Sequence, residues 1–424
     1  MADAAKHRPW TVMVYMAGDN GKIFNTSKYG QIQLMASMTE QGYSDLLKMG
    51  SVGTTDNVAV VCLFDTTTGS YLVEVRKGQG FADSTVTPIP EVNTGDPNTL
   101  AHFITQTVQT YPADHYLLVL WNHGSGWLDV DAYSVVRALD GVRRYPPIFR
   151  STPRKLAGPE GTRPIAYDDS SMDFLDTADL REAFTDAATV TGVRLDVIGM
   201  DACLMAMIEG DRELAPFFDY CVASQEVEPM NGWPYAQILT ALDAKPGTAP
   251  ADVARLIVEE YAKAYGGRTR ADETATQAAV VLNRTAKTET LCKALVDAVL
   301  ANQYPTLRKL VQTAVGKALS FEDPGYRDLG DFAAQLAKVA APSDYQDVAT
   351  AAQALADHLQ ARGTEAPVME VGLVESYARA TGMSVYLPDT LPASGREQAL
   401  NIYRQLGFPQ RTGWDKLVEW QLGD

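Results

Sequence analysis

The chain has 424 residues, 46% of them hydrophobic, a composition that supports a substantial buried core and excludes a disordered protein. Its formal charge of −17 argues against nucleic acid or an anionic membrane as partner, because both are bound through basic footprints. No apolar stretch is long enough to span a bilayer, and Met1 to Pro9 has no apolar h-region, so a cytoplasmic location is expected unless a signal peptide was removed.

Trp10 to Met16 reads as a first strand, rich in β-branched and aromatic residues, with a tight turn at Ala17 to Asn20. Asn57 to Phe64 reads as a second buried strand. Tyr71 to Arg76 alternates sides and predicts an edge strand or hairpin arm. Asn98 to Thr110 places Leu100, Phe103, Ile104 and Val108 on one helical face and leads into an apolar run, Tyr116 to Trp121. Alternation of strands and helices is the mark of a parallel sheet covered by helices. From about residue 129 to 169 the chain is rich in Pro, Gly and Arg without periodicity, too long for an ordinary connection. A helix over Thr177 to Ala188 then precedes the apolar run Leu195 to Met200. A helix over Leu204 to Leu214 and a strand over Phe217 to Ser224 follow.

Beyond residue 245 the spacing predicts helices over Ala251 to Tyr265, Thr285 to Leu300, Thr306 to Leu319, Leu329 to Val339 and Tyr345 to Arg362. Strands interrupt them at Ala278 to Leu282, Val368 to Val374 and Met383 to Leu387. The expected fold is α/β, a mostly parallel sheet sandwiched by helices. Residues 1–245 are expected to form the core of this sheet, and 246–424 a helix-rich region that lends it strands.

Two of the apolar runs end where chemistry would start. One ends in Asn122-His123-Gly124-Ser125-Gly126-Trp127, the other in Asp201-Ala202-Cys203-Leu204-Met205. Ligands of open α/β sheets sit beyond the carboxyl ends of the strands. If the two strands are neighbours, His123 and Cys203 would meet there as the base and nucleophile of a thiol hydrolase. Cys62, Cys221 and Cys292 form no CxxC pair with it or with one another. Other chemistries lack their patterns: there is no G-x-S-x-G, no H-E-x-x-H, no P-loop and no dinucleotide fingerprint. None of the five histidines has a second at metal-ligand spacing, so no metal site is expected.

The two boxes resemble those of the clostripain-like cysteine peptidases, relatives of caspases, gingipains and legumain. Val14 to Asn20, Ala223 to Glu226 with Gly232 to Tyr235, and Tyr326 to Leu329 with Asp331-Phe332 resemble the same family in the same order. The resemblance implies a caspase-like fold and a Cys203/His123 dyad, with the N–H groups of Cys203 and Gly124 as oxyanion hole. It implies that Asp201, Asn231 and Trp233 line the S1 pocket and that cleavage follows Arg or Lys in peptide or protein substrates. Asn231 stands near where the family often has an acid. An alternative role for Asp201 is to cap the helix that follows. The resemblance also implies self-cleavage between the two boxes, where residues 137–163 carry seven basic side chains against Asp140 and Glu160. Arg150, Arg154 and Lys155 are the favoured points. Calcium enters by resemblance alone, since some relatives need it and no EF-hand spacing occurs here. A monomer is expected. The rival readings are a caspase-like peptidase of other specificity and an inactive binding module, the latter disfavoured by the presence of both His123 and Cys203.

Overall fold

The computed structural model describes residues 6–20, 24–26, 32–34, 38–124, 165–168, 170–171, 173–266, 275–363, 366–373, 375–391 and 393–423. The chain divides into two compact units, residues 1–202 with 230–256, and residues 203–229 with 257–424.

The first unit is built on strands β1 (Arg8–Ala17), β4 (Val58–Thr66), β5 (Gly69–Glu74), β6 (Thr85–Ile89), β7 (Ala113–Trp121) and β10 (Val197–Asp201), in the order β10-β7-β1-β4-β5-β6. Two small hairpins join β2 (Phe24–Thr26) to β3 (Ile32–Leu34) and β8 (Ile165–Asp168) to β9 (Asp173–Leu175). Strands β10, β7, β1 and β4 run parallel. Strands buried on both faces read as continuous apolar runs. Residues 10–17 of β1 and 58–66 of β4 are accordingly all buried. The run at 71–76 is a hairpin arm and not the edge, because β6 pairs outside it. That outer strand is Thr-Val-Thr-Pro-Ile, too polar to show an apolar period, with the proline tolerated at an edge.

Helices Met38–Gly50 and Tyr235–Ala244 pack together and against β4, while Pro97–Thr110 packs on Thr177–Thr191 and β1. The start of Thr177–Thr191 is fixed by a capping box, in which the Asp176 carboxylate accepts from the Ala178 and Asp179 N–H groups and Asp179 accepts in return. Pro97 opens its helix at the first turn, where its missing N–H costs nothing, beside the Asp96 cap. The patternless connection is shorter at its end than expected, since β8 begins at Ile165. The rest of it lies outside the described residues.

The second unit carries strands β11 (Tyr220–Ala223), β12 (Thr276–Val281) and β14 (Val368–Leu373), antiparallel in the order β14-β12-β11, and the pair β13 (Tyr326–Asp328) with β15 (Ser384–Tyr386). Helix Leu329–Ala340 packs on Pro305–Lys317 and on Gln346–Gln360, and the last packs on Thr285–Ala301. The sequence reading missed Gly407–Thr412 and Trp414–Leu422, short helices whose Phe408, Trp414, Leu417 and Val418 are buried. The helix predicted from Leu204 starts only at Ile208, with Met207 as N-cap. Residues 203–206 are held otherwise: the Leu204 N–H donates to the Glu226 carbonyl (3.2 Å) and the Ala206 N–H to that of Ser224 (2.8 Å). Tertiary hydrogen bonds therefore override the apolar spacing there.

Candidate active site

Strand β7 delivers the His box and β10 the Cys box, and the two strands are parallel neighbours with Asp201 in register with Trp121. His123 and Cys203 thus each stand two residues beyond a paired position. Asn122 folds back beneath the His box, its Nδ2 donating to the Ala17 carbonyl and its Oδ1 accepting from the His123 N–H. Burial lowers the His123 imidazole to about 4, so it is neutral at physiological pH. Its Nε2 is buried and has no hydrogen-bond partner among the described residues. Gly124 follows directly and is half-buried. Ser125, Gly126 and Trp127 lie outside the described residues, as do Arg150, Arg154 and Lys155 of the expected cleavage segment.

Cys203 is half-buried, whereas Cys62, Cys221 and Cys292 are buried and burial pushes their thiols up. Access therefore singles out Cys203. Its thiol is not at a helix N-terminus, as a helix from Leu204 would have made it, because Ile208–Leu214 begins five residues later. A backbone group acts instead: the Glu228 N–H donates to Cys203 Sγ at 3.3 Å. Leu204, next in the chain, takes a left-handed conformation (φ 62°), which for a residue with a side chain is strained and is held by the surrounding bonds.

The segment that supplies the Glu228 N–H is anchored throughout. Ser224 Oγ donates to the Glu226 carbonyl (2.9 Å), and Thr276 Oγ1 accepts from the Gln225 and Glu226 N–H groups (3.0 and 3.1 Å). Gln277 Nε2 donates to Glu228 Oε1 at 3.0 Å. The Glu226 carboxylate accepts from the Tyr377 hydroxyl (2.5 Å) and from the Glu322 N–H (3.1 Å). These partners come from β12 and from residues beyond 320, so no local sequence pattern could have revealed them.

Asp201 is buried and its Oδ2 accepts from the Tyr235 hydroxyl (2.7 Å) and the Trp233 N–H (3.3 Å). It is not the cap of the following helix: that position belongs to Met207, which makes no side-chain cap bond. Trp233 is buried with its ring against Gly199, where any Cβ would come within 2.6 Å of the indole. Asn231 is exposed, and its carbonyl accepts from Lys48 Nζ. Gly232 has φ +56°, and a Cβ there would sit 3.1 Å from Asp45 Oδ2 and 3.3 Å from Asp201 Oδ2. Only glycine takes both this backbone angle and this approach without strain.

Asp45 is the residue the sequence reading missed. It lies on the buried stripe Gly42, Asp45, Leu46, Met49 of its helix, and a carboxylate inside such a stripe is the signal that could have marked it. Trp121 Nε1 donates to its Oδ2 (2.8 Å) and Lys48 Nζ to its Oδ1 (2.6 Å). Burial and then the charge of Asp201 push the Asp45 carboxyl up to about 7, with Lys48 opposing. A buried carboxyl with shifted titration, next to a second buried carboxylate, is a combination typical of functional sites.

With this geometry in hand, likeness to known proteins is informative. Residues 14–140 and 155–420 match the clostripain family, the C11 peptidases. Clostripain of Hathewaya histolytica is 28% identical over 179 residues, which span 40% of this chain and only 28% of that protein. Among solved structures, a secreted C11 cysteine protease of Bacteroides thetaiotaomicron bound to an irreversible peptide inhibitor superposes with a TM-score of 0.62. It is 17% identical, over 96% of this chain and 99% of the other. An inactive zymogen C11 protease of Parabacteroides distasonis gives 0.59 at 18% identity, over 96% and 98%. The fold is that of the caspase-like C11 proteases, and the chain, matched along most of its length, belongs to the clostripain family.

Proposed function

We propose that this chain is a cysteine endopeptidase that cleaves after Arg or Lys, with Cys203 as nucleophile and His123 as its base. The observation that carries the reading is the pairing of Asp201 with Trp121, which ends the two boxes at one level of adjacent parallel strands. Neutral His123 takes the thiol proton, the thiolate attacks the scissile carbonyl, and the imidazolium returns the proton to the leaving amine. The Glu228 N–H stabilises the thiolate in the meantime. The N–H groups of Gly124 and Cys203 are the proposed oxyanion donors, glycine permitting close approach of a carbonyl.

Selectivity for a basic side chain is proposed to rest on Asp201, a carboxylate suited to charge-assisted hydrogen bonds with guanidinium or ammonium. Trp233 and Gly232 form the wall that holds it, with Asn231 at the exposed end. We also propose activation by self-cleavage in residues 137–163, at Arg150, Arg154 or Lys155. The existence of a C11 relative described as an inactive zymogen supports this. No cofactor takes part in the bond-breaking steps of this proposal.

The test is a panel of fluorogenic peptides with Arg, Lys, Asp, Asn or Ala before the scissile bond, run on wild type, Cys203→Ala and His123→Ala. Turnover of the Arg and Lys peptides by wild type alone is expected. Activity in Cys203→Ala, or equal rates on Ala and Arg peptides, would overturn the reading. Mass spectrometry of the incubated proteins reads self-cleavage in parallel, with fragments expected from wild type and none from Cys203→Ala.

A further inference from the structure

Two of the sequence boxes have no part in the proposed reaction, Ala223 to Glu226 and Tyr326 to Leu329 with Asp331-Phe332. One side chain of the second unit joins them. Gln225 is buried, and both hydrogens of its amide are used: Nε2 donates to Asp328 Oδ2 and to Ser384 Oγ, each at 3.0 Å. Its Oε1 accepts from the Gly382 N–H, also at 3.0 Å. Asp328 and Ser384 face each other in the β13–β15 register, so the amide grips both strands of that pair at one rung. Asp328 is itself buried and accepts from the Asp331 N–H (2.7 Å), the Thr381 N–H (2.5 Å) and the Thr381 hydroxyl (2.8 Å). A turned-over Gln225 amide would set its oxygen against this carboxylate and its nitrogen against the Gly382 N–H, so its orientation is fixed.

From this grip hydrogen bonds lead to the residues after Cys203. The Ser384 N–H donates to the Ala206 carbonyl (2.8 Å), the Ala206 N–H to the Ser224 carbonyl (2.8 Å) and the Leu204 N–H to the Glu226 carbonyl (3.2 Å). The neighbours of Gln225 on either side therefore hold residues 204–206. They hold Leu204 against its own preference. Among the described residues only Ala166 and Leu204 take positive φ without being glycine, a conformation in which Cβ crowds the carbonyl oxygen that follows. Freed from these bonds, Leu204 would return to the right-handed or extended region, and the peptide joining it to Cys203 would turn with it. The Glu228 N–H that meets the Cys203 thiol belongs to the same anchored segment.

We propose that Gln225, gripped by Asp328 and Ser384, is a positioning residue of the reaction, which maintains the left-handed turn at Leu204 and thereby the orientation of Cys203. The proposal rests on the reading of Cys203 as nucleophile. Gln225 touches neither substrate nor the reacting sulfur in this scheme and acts through the turn alone. Its loss therefore falls on the alignment of the reacting atom, which is felt in kcat, and not on the binding of the basic side chain. Glycine populates the left-handed region about as readily as the right-handed one. A glycine at position 204 would keep the turn populated when the grip is weakened, so the need for Gln225 depends on the residue at 204.

The test is a double-mutant cycle in the full chain, with Gln225→Ala made both in wild type and in Leu204→Gly. Each protein is read by kcat and KM on an Arg peptide and by the rate of iodoacetamide alkylation at pH 7, which reports Cys203 because the other three cysteines are buried. In wild type, Gln225→Ala is expected to lower kcat about a hundredfold, the cost of a small misplacement of a reacting atom, with KM and the preference for Arg unchanged. Alkylation is expected to slow about tenfold, as the thiol loses its place at the Glu228 N–H. In Leu204→Gly the same substitution is expected to cost about tenfold or less in kcat, because residues that act through one turn are not additive. Ser384→Ala removes one acceptor of the amide and keeps the Ser384 backbone bond, and it takes the place of Gln225→Ala in the cycle if that variant fails to fold. Equal fold losses in the two backgrounds, or a loss confined to KM, would overturn the proposal. Wild type that turned over no peptide would overturn the nucleophile reading instead, and the alkylation rates, which need no turnover, would still decide whether Gln225 holds the turn.

Discussion

Asp201 and Cys203 stand two residues apart, yet they are held by different machinery. Asp201 ends a strand of the first unit and is fixed by the donors Tyr235 and Trp233 of that unit, with the like charge of Asp45 nearby. Cys203 belongs to the second unit and is fixed by the Glu228 N–H, itself anchored to β12. The carboxylate is buried and paired with donors, while the thiol is half-buried beside a strained turn. A residue proposed to select substrate and a residue proposed to react with it can thus be perturbed independently.

The largest effects break the reactive half. Cys203→Ala or His123→Ala should lower kcat by about a thousandfold or more, because members of a catalytic unit fail together. Rates on fluorogenic peptides check this, and a melting temperature unchanged within a few degrees separates chemistry from folding. Asp201→Asn should come next and act on the other half. It should cost about a hundredfold in kcat/KM for Arg peptides, in line with losing a charge-assisted bond worth about 1.5–3 kcal/mol, and little for Ala peptides. A uniform loss across all peptides would mean that Asp201 is a structural buttress for Tyr235 and not a selector.

Smaller effects sharpen the contrast. Gln277→Ala should loosen the Glu228 segment and raise the Cys203 thiol, slowing iodoacetamide alkylation several-fold at pH 7 with little change at pH 10, while leaving the preference for Arg intact. A preference that shifted with it would show the two halves to be coupled. Gly232→Ala should cost about 1–2 kcal/mol of stability, from a side chain forced to positive φ against two carboxylates. A thermal melt reads it.

The smallest effect concerns pH. Asp45, Asp168 and Asp65 are carboxyls pushed up to about 7, 6 and 8. A group whose folded value is raised stabilises the fold fully below its unfolded value near about 4 and loses that contribution as pH rises through the folded value. The melting temperature should therefore decline between about pH 4 and pH 8. Asp45→Asn should flatten the part of the decline below about pH 7.

The apolar runs at 10–16, 57–64, 116–121 and 195–200 and the long helical periods after 245 determined the element order, because burial on both faces of a parallel strand and one-sided burial of a helix each leave a period in the chain. The His and Cys boxes were legible for the same reason, as breaks at the ends of such runs. Hydrogen bonds between distant segments leave no period, and these only the tertiary structure decided. They moved the helix start from Leu204 to Ile208 and gave the Cys203 thiol a backbone donor at Glu228, while the packing of distant segments, equally without a period, placed Asp45 beside Asp201 and gathered Asp19, Asp65 and Glu91 from three separate strand ends.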